Sequence, residues 1–280
     1  MPGPQADIAE APLQLDNPLN LALNNRNAST LKMVHDAIRH KQTLLAFQPI
    51  VLASDPNRVA FYEGLIRVTD DTGRIIPAAE FIPVVENTEL GRELDALALE
   101  MGLEVLRQIP DLRLSINMSA LSISNQRWKR VLRQGLDRDP TVPERLILEV
   151  TETSAMAEPE RIGTFMERLQ EKGVCFALDD FGSGQTALRY FKDFYFDMLK
   201  IDGQFIAGIS EDPDNQALVA SMQAIASHFD MVTVAEFVEQ QADAECLAEL
   251  GLDCLQGYLY GAPTTKPSWL PYDQRRQVAS

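Results

Sequence analysis

Eight short apolar runs, separated by longer amphipathic stretches, constrain the fold of this chain more than any other feature of its sequence. The runs are rich in β-branched residues and occupy residues 46–52, 59–68, 112–117, 146–150, 174–179, 198–201, 231–236 and 254–258. Two of the intervening stretches, 158–172 and 214–229, carry apolar residues at the spacing of a helix with one buried face. Eight such units in a chain of 280 residues favour a closed (β/α)₈ barrel.

An open, doubly wound sheet is the alternative arrangement of βα units. Its usual marker, a G-x-G-x-x-G turn after the first strand, is absent from the sequence. The sequence therefore predicts an α/β protein with one TIM-like barrel domain over residues 30–270. Residues 1–29 lack sustained periodicity and are predicted to be a short flexible N-terminal arm, and residues 271–280 a C-terminal tail.

Composition argues against several classes of protein. A net charge of −16 disfavours binding to nucleic-acid polymers, because such binding depends on cations that replace the counterions of phosphates. Neither a membrane span nor a secretory signal is visible, so the expected location is the cytoplasm. The three cysteines form no C-x-x-C pair and are expected to be reduced thiols, and the three histidines are expected to be structural or surface residues.

Polar side chains stand at or near the C-terminal end of most predicted strands. They are Glu63, Asn117, Glu149, Asp179, Asp180, Lys200, Glu236 and Gln256. Because the C-terminal ends of barrel strands converge on one face, these side chains are predicted to meet in one pocket. A carboxylate near one strand end is commonplace in a chain with 41 acidic residues, but six or seven strands ending in this way are not.

Carboxylates crowded into one pocket repel each other by about 4 kcal/mol per pair at ~4 Å, so they require a cation or protons. Since the available ligands are carboxylates and one amide, the expected ion is Mg²⁺ or Mn²⁺, with Ca²⁺ as an inhibitory competitor. The adjacent residues Asp179 and Asp180 suit a two-metal site, which can support in-line attack of a metal-activated water on phosphorus. Lys200 either neutralises this cluster or orients the water and stabilises the phosphoryl oxygens.

Eight short motifs, taken in order, resemble the EAL phosphodiesterase family over roughly residues 31–267. They are FQPI at 47–50, EGLIR at 63–67, INMSA at 116–120, LEVTE at 148–152, DDFGSG at 179–184, LKID at 199–202, AEFVE at 235–239 and QGYLYGAP at 256–263. The resemblance implies a cyclic di-GMP phosphodiesterase that releases linear pGpG. It also implies a homodimer, and we expect regulation through expression, dimerisation or a separate regulatory protein.

The resemblance further implies a role for each matching residue. The first metal would be held by Glu63, Asn117, Glu149 and Asp179, and the second by Asp179, Asp180 and Glu236. Catalytic roles are implied for Glu63, Glu236, Lys200 and Gln256, of which Lys200 and Gln256 would hold or orient water beside the ions. Substrate-binding roles are implied for Gln48, Leu65, Arg67 and Glu239, and Glu152 and Ser183 would anchor the loop after the aspartate pair.

Four departures from the family pattern accompany this resemblance. Gly64 replaces an alanine, Val68 replaces a common tryptophan, and the loop at 182–188 reads GSGQTAL where G-T-G-Y-S-S-L is usual. Phe237 replaces a glycine, and if the backbone there needs a positive φ, the aromatic residue could displace Glu236.

A catalytically inactive EAL-like receptor or scaffold, binding cyclic di-GMP or a protein partner, is therefore the alternative function. An unrelated metal-dependent barrel, such as a lyase, fits the carboxylates but not the order of the motifs.

Overall fold

The computed structural model describes residues 18–70, 72–157, 159–184, 191 and 194–270. Within these residues the strands are β1 (Thr43–Leu52), β2 (Asp55–Thr69), β3 (Ile75–Ile76), β4 (Leu114–Asn117), β5 (Leu146–Thr151), β6 (Cys175–Phe181), β7 (Met198–Ile201), β8 (Val232–Ala235) and β9 (Cys254–Gln256). The α-helices are α1 (Pro18–Arg39), α2 (Ala78–Val85), α3 (Glu89–Gln108), α4 (Gln126–Arg138), α5 (Glu152–Ala157), α6 (Pro159–Gln170), α7 (Pro213–His228) and α8 (Gln241–Glu249).

Eight of these strands close into a barrel, which confirms the predicted fold. Their order around the barrel is β1-β9-β8-β7-β6-β5-β4-β2, and the pairing of β1 with β2 completes the ring. The strands β2 and β4 to β9 run parallel, whereas β1 runs antiparallel to both of its neighbours. The expectation of uniform βα units was therefore wrong at the start of the barrel. Only Ala53 and Ser54 separate β1 from β2, and so short a connection permits a hairpin but no crossover helix.

The predicted strands all correspond to strands of the structure, with ends that differ by a few residues. The run at 231–236, for example, is the strand Val232–Ala235, and the predicted helix at 214–229 is the helix Pro213–His228. The added strand β3 was not predicted, because two residues are too few to show an alternating pattern.

The N-terminal helix α1 includes part of the segment that was predicted to be a flexible arm. It begins at Pro18, so residues 18–29 are helical rather than part of an irregular segment. Its second half buries Val34 and Ala37 in an apolar cluster with α2, whereas residues 20–29 are exposed and have no apolar face for the sequence to reveal. Helix propagation from an anchored half is favourable, since each added residue closes one more hydrogen bond. Residues 1–17 and 271–280 lie outside the described residues, and the domain boundaries stay a prediction.

An apolar layer fills the interior of the barrel. It is formed by the buried residues Ile50, Phe61, Ile147, Ala177, Val234 and Cys254. Five of them lie two positions before a predicted site residue, as Phe61 does before Glu63 and Ile147 before Glu149. Because side chains alternate between the two faces of a strand, the site residues also face inward and form a polar layer above the apolar one.

The helices pack against the outside of the barrel. The fully buried Trp128 of α4 contacts Phe165 of α6 with ring centroids 5.7 Å apart, within the largest apolar cluster. No helix in the described part of the chain is both long enough and apolar enough to span a bilayer.

Replacing Gly257 with alanine should destabilise the protein by about 1–3 kcal/mol or more. The added Cβ would overlap the backbone N and O atoms of Val238, whose N–H donates to Gln256 O, and backbone atoms here cannot easily move aside. Urea unfolding measures the change in the free energy of unfolding. Gly163→Ala, in α6, is the matched control, because its added Cβ would lie at an ordinary contact distance of 3.7 Å from the Phe194 ring. Alanine favours the helix more than glycine does, so this substitution should stabilise the protein by ~0.5–1 kcal/mol. Equal effects of the two substitutions would contradict this packing.

Candidate functional site

A buried lysine lies at the centre of the polar layer. Lys200 Nζ lies 2.8 Å from Glu149 Oε2, 2.9 Å from Asp179 Oδ1 and 2.9 Å from Glu236 Oε1. A fourth carboxylate oxygen, Glu63 Oε2, lies 3.7 Å away. The structure thus brings together carboxylates that are far apart in the sequence, around one ammonium group.

Two amide side chains hold Glu63 in position. Asn117 Nδ2 donates to Glu63 Oε1 over 2.7 Å, and Gln256 Nε2 donates to Glu63 Oε2 over 2.6 Å. The Gln256 amide also lies 3.2 Å from Gln48 Oε1, and Gln48 Nε2 donates to Gly261 O. Gln48 therefore uses both of its polar groups within the protein, and its implied contact with substrate stays a prediction.

Glu63 does not lie at the end of its strand, where the sequence predicted the site residues to lie. It lies in the middle of β2, which continues for six residues to Thr69 because the antiparallel partner β1 pairs with it along its length. Its level in the barrel is nevertheless that of the other site residues, since Glu63 pairs with Ser115 of β4 and Gln48 of β1. The antiparallel hairpin thus carries Glu63 to the same layer as the carboxylates of the parallel strands.

A distortion of β6 brings two successive carboxylates to one site. Successive strand residues normally face opposite ways, so Asp179 and Asp180 could not both face the pocket from a regular strand. Asp180 adopts a left-handed backbone with φ 54°, where the pairing of β6 with β7 is irregular. Aspartate tolerates this conformation better than most residues. As a result Asp179, Asp180 and Glu236 each offer an oxygen within 4.8 Å of the others.

The loop after the aspartate pair is hydrogen-bonded to α5 and to the end of β6. Gly182 N donates to the buried Glu152 Oε2 over 3.1 Å, and Ser183 Oγ donates to Asp180 O over 2.8 Å. Ser183 is exposed. Residues 185–188 of this loop, where the sequence departs from the family pattern, lie outside the described residues.

Burial and mutual repulsion disturb the ionisation of the cluster. Burial, aided by Glu63 and Asp179 and opposed by Lys200, raises the pKa of Glu149 to about 8. Burial and the neighbouring Asp179 and Asp202 raise the pKa of Asp180 to about 6. Burial alone would lower the pKa of Lys200, but the surrounding carboxylates outweigh it and hold that pKa well above its usual value. Lys200 therefore keeps its proton at neutral pH.

The residues present fit a site for hard divalent cations. Five carboxylates, those of Glu63, Glu149, Asp179, Asp180 and Glu236, face one ammonium group, so four negative charges are in excess when all are ionised. Two divalent cations would balance that excess. In addition, the buried Glu149 Oε1 has no hydrogen-bond donor among the described residues, so one lone oxygen is available as a ligand. All side-chain ligands here are oxygens, the type that Mg²⁺, Mn²⁺ and Ca²⁺ prefer.

Two cavities flank the cluster. One has a volume of about 700 Å³, is lined by Glu63, Asn117 and Asp180, and extends past Leu65 and Arg67 to apolar residues of α2 and α3. The other has a volume of about 550 Å³ and is lined by Asp180, Asp202, Gly203, Gln204, Ala207, Gly208, Phe237, Glu239, Gln240 and Asp243. Asp180 lines both cavities. Of the predicted substrate residues, Leu65 and Arg67 line the larger cavity and Glu239 lines the smaller one.

Sequence reasoning missed one residue beside this site. Asp95 of α3 lines the larger cavity, and its Oδ2 accepts hydrogen bonds from Ser119 N over 2.9 Å and Ser122 Oγ over 2.7 Å. These bonds fix the segment that follows Asn117. A signal was available, because Asp95 interrupts the apolar face that Leu94 and Ala98 form on this helix.

The departure at Phe237 does not disturb the cluster as the sequence suggested it could. Phe237 does adopt a positive φ of 55°, the conformation in which glycine is favoured. Glu236 nevertheless remains buried and in contact with Lys200.

The departure at Gly64 is matched by its neighbour Ile116. An added Cβ at Gly64 would lie 2.6 Å from Ile116 Cδ1, so the Ile116 side chain occupies the space that the methyl group of an alanine would need.

Comparison with known proteins identifies the class of barrel. The EAL domain family matches residues 31–263, and the chain belongs to that family. Solved EAL structures share the fold, among them a phosphodiesterase described as PaMucR in complex with c-di-GMP, with a TM-score of 0.74 and 32% identity over 88% of this chain and 99% of that one. The FimX EAL domain from Pseudomonas aeruginosa, bound to c-di-GMP, has a TM-score of 0.75 at 22% identity over 84% of this chain and 96% of that one, and shows the fold alone.

Curated relatives give the same result from sequence. The chain is 32% identical, over 86% of its length, to the bifunctional diguanylate cyclase/cyclic di-GMP phosphodiesterase MucR of Pseudomonas aeruginosa. It is 31% identical, over 83% of its length, to the cyclic di-GMP phosphodiesterase PdeF of Escherichia coli. These matches cover 36% and 31% of the two relatives, so the chain spans about a third of their length.

The stability of the metal-free protein should fall as the pH rises. The folded-state pKa of Glu149, about 8, exceeds its ordinary value of 4.5, so the folded protein retains a proton that the unfolded chain releases. The associated stability is complete below about pH 4.5 and is lost as the pH passes 8. We expect the melting temperature in EDTA to decline across this window, and Mg²⁺ or Mn²⁺ to restore it at the upper end.

Glu149→Gln is the matched variant, since glutamine resembles the protonated acid. It should weaken both the decline with pH and the rescue by the cation. A melting temperature that does not change when Mg²⁺ or Mn²⁺ is added at pH 8 would contradict a cation site at Glu149. So would an equal rise of the melting temperature in Glu149→Gln.

Proposed function

We propose that this chain is a metal-dependent phosphodiesterase that hydrolyses cyclic di-GMP to linear pGpG. The observation that carries the proposal is the oxygen-rich cluster around Lys200, which lies between two cavities in the barrel. Support also comes from the family of the chain and from relatives named as cyclic di-GMP phosphodiesterases. Hydrolysis to pGpG adds water to phosphorus and breaks the P–O3′ bond, and the leaving O3′ ends as a hydroxyl.

The carboxylates and the side-chain amide of Asn117 would hold two divalent cations, Mg²⁺ or Mn²⁺. The first set is Glu63, Asn117, Glu149 and Asp179, and the second is Asp179, Asp180 and Glu236. Ions in such a site supply a nucleophilic water at neutral pH and offset charge on the phosphoryl oxygens. Because Asn117 and Gln256 both donate to Glu63, they fix the direction in which its carboxylate faces the site.

Lys200 acts as a donor rather than as a base. Its pKa is raised by the surrounding carboxylates, so it keeps its proton at neutral pH. A protonated amine cannot accept the proton of the attacking water, but it can donate a hydrogen bond to that water or to a phosphoryl oxygen. Gln256 is buried and donates to Glu63 Oε2, the oxygen that lies 3.7 Å from Lys200 Nζ.

Substrate contacts are proposed on both sides of the cluster. Arg67 lines the larger cavity with Leu65, and its planar guanidinium can donate two parallel hydrogen bonds to a phosphate. Glu239 lines the smaller cavity. Gln48 accepts a hydrogen bond from Gln256 and donates one to Gly261 O, so its contact with substrate would require a change of hydrogen-bond partner. A homodimer, a separate regulatory protein and a cytoplasmic location stay predictions.

The assay is incubation of purified protein with cyclic di-GMP and Mg²⁺ or Mn²⁺, with chromatography for pGpG. Glu63→Ala should lower kcat/KM by more than about 100-fold, because it removes a metal ligand and leaves the amides of Asn117 and Gln256 without their acceptor. The exposed Glu171→Gln is the control and should retain activity. Cyclic di-GMP left intact with both ions would refute the proposal and favour the inactive receptor or scaffold.

Calcium should support binding of cyclic di-GMP but not its hydrolysis. Ca²⁺ prefers six to eight oxygen ligands at ~2.3–2.6 Å, whereas Mg²⁺ requires octahedral geometry at ~2.0–2.1 Å, so Ca²⁺ would misplace the reacting groups. Adding Ca²⁺ at a fixed Mn²⁺ concentration should inhibit turnover, and the inhibition should be relieved by more Mn²⁺. Full activity with Ca²⁺ alone would contradict the proposed geometry.

A further inference from the structure

Phe237 combines two unfavourable features that the fold does not explain. Its backbone adopts a φ of 55°, which is strained for a large residue and free of strain for glycine. Its side chain is 64% exposed, so it contributes little to the apolar core. A residue that is both strained and exposed next to a candidate site suggests a functional contact.

The backbone on both sides of Phe237 is held rigidly. Glu236 is buried in contact with Lys200, and Val238 is fully buried. Val238 N donates to Gln256 O over 2.9 Å, and Leu259 N donates to Val238 O over 3.2 Å. Because its two neighbours face the interior, the Phe237 side chain is directed out at the mouth of the barrel.

The ring of Phe237 lies against the backbone of Gly203. A Cβ on Gly203 would approach the Cδ2, Cγ and Cβ atoms of Phe237 to 2.5, 2.7 and 2.8 Å. The ring is therefore supported from one side by a residue without a side chain. Its exposed part lines the smaller cavity, together with Asp180 and Glu239.

The two cavities suit the two halves of a cyclic dinucleotide. Both are lined by Asp180, which belongs to the carboxylate cluster. A phosphate placed at the cluster would leave one nucleoside directed into each cavity. In the smaller cavity, the exposed aromatic group able to stack on a purine is Phe237, and the carboxylate of Glu239 can accept hydrogen bonds from the N1–H and N2–H groups of guanine.

We propose that Phe237 is a base-stacking residue that binds one guanine of the dinucleotide and thereby sets substrate affinity. This inference rests on the proposed function, because it takes cyclic di-GMP as the ligand of the site. It assigns to the strained backbone a purpose that glycine at this position could not serve.

Kinetics of variants at residue 237 test the inference. Phe237→Gly relieves the strain, so it should raise the melting temperature or leave it unchanged, while the KM for cyclic di-GMP rises roughly five-fold or more and kcat changes little. Phe237→Leu keeps an apolar side chain without a stacking face and should also raise KM. Phe237→Tyr keeps the ring and should retain the KM of the unaltered protein. Tyr195→Ala, which removes another exposed aromatic residue, is the control and should change neither parameter.

A binding measurement separates failure of this inference from failure of the proposed function. Phe237→Trp places an indole at the position, and its fluorescence should be quenched when cyclic di-GMP binds in Ca²⁺ to full-length protein. Quenching without any turnover in Mg²⁺ or Mn²⁺ would leave the stacking role intact and refute the enzyme. Turnover with an unchanged KM in both Phe237→Gly and Phe237→Leu, or a raised KM in Phe237→Gly alone, would overturn the stacking role.

Discussion

The charge balance around Lys200 is the constraint on which the rest of the site depends. Carboxylates taken out of water repel each other strongly, and a single buried ammonium at 2.8–2.9 Å from three of them offsets only part of that repulsion. Burial, together with this remaining excess of negative charge, raises the pKa values of Glu149 and Asp180. The same excess of negative charge makes the cluster a fitting site for divalent cations. The fit to divalent cations, the raised pKa values of the carboxyl groups and the protonated state of Lys200 at neutral pH are thus consequences of one arrangement.

Strand periodicity accounts for most of what the sequence could predict. A polar residue two positions beyond a buried one faces the same interior, so the pairs Phe61–Glu63 and Val234–Glu236 already indicate a polar layer above an apolar one. The convergence of parallel strands then brings these residues together without further information. For this reason the barrel, its eight strands and the candidate ligands could be inferred before any coordinates.

Features that depend on connection geometry or on single backbone angles were beyond that reasoning. The antiparallel β1 follows from a two-residue connection, and the exposed half of α1 has no apolar face to detect. Asp180 reaches the cluster because its φ is positive, which no residue pattern specifies. The sequence indicated that Phe237 could displace Glu236 if its φ is positive. Its φ is positive, but the buried Val238 and the contact of Glu236 with Lys200 hold the backbone in place and direct the ring outward.

Anomalous diffraction from crystals grown with Mn²⁺ tests the central claim most directly, because it locates the ions without reference to activity. The charge balance predicts two peaks ~3.5–4 Å apart among Glu63, Asn117, Glu149, Asp179, Asp180 and Glu236, next to Lys200. An absence of peaks at this cluster, with Mn²⁺ bound elsewhere or nowhere, would contradict the account.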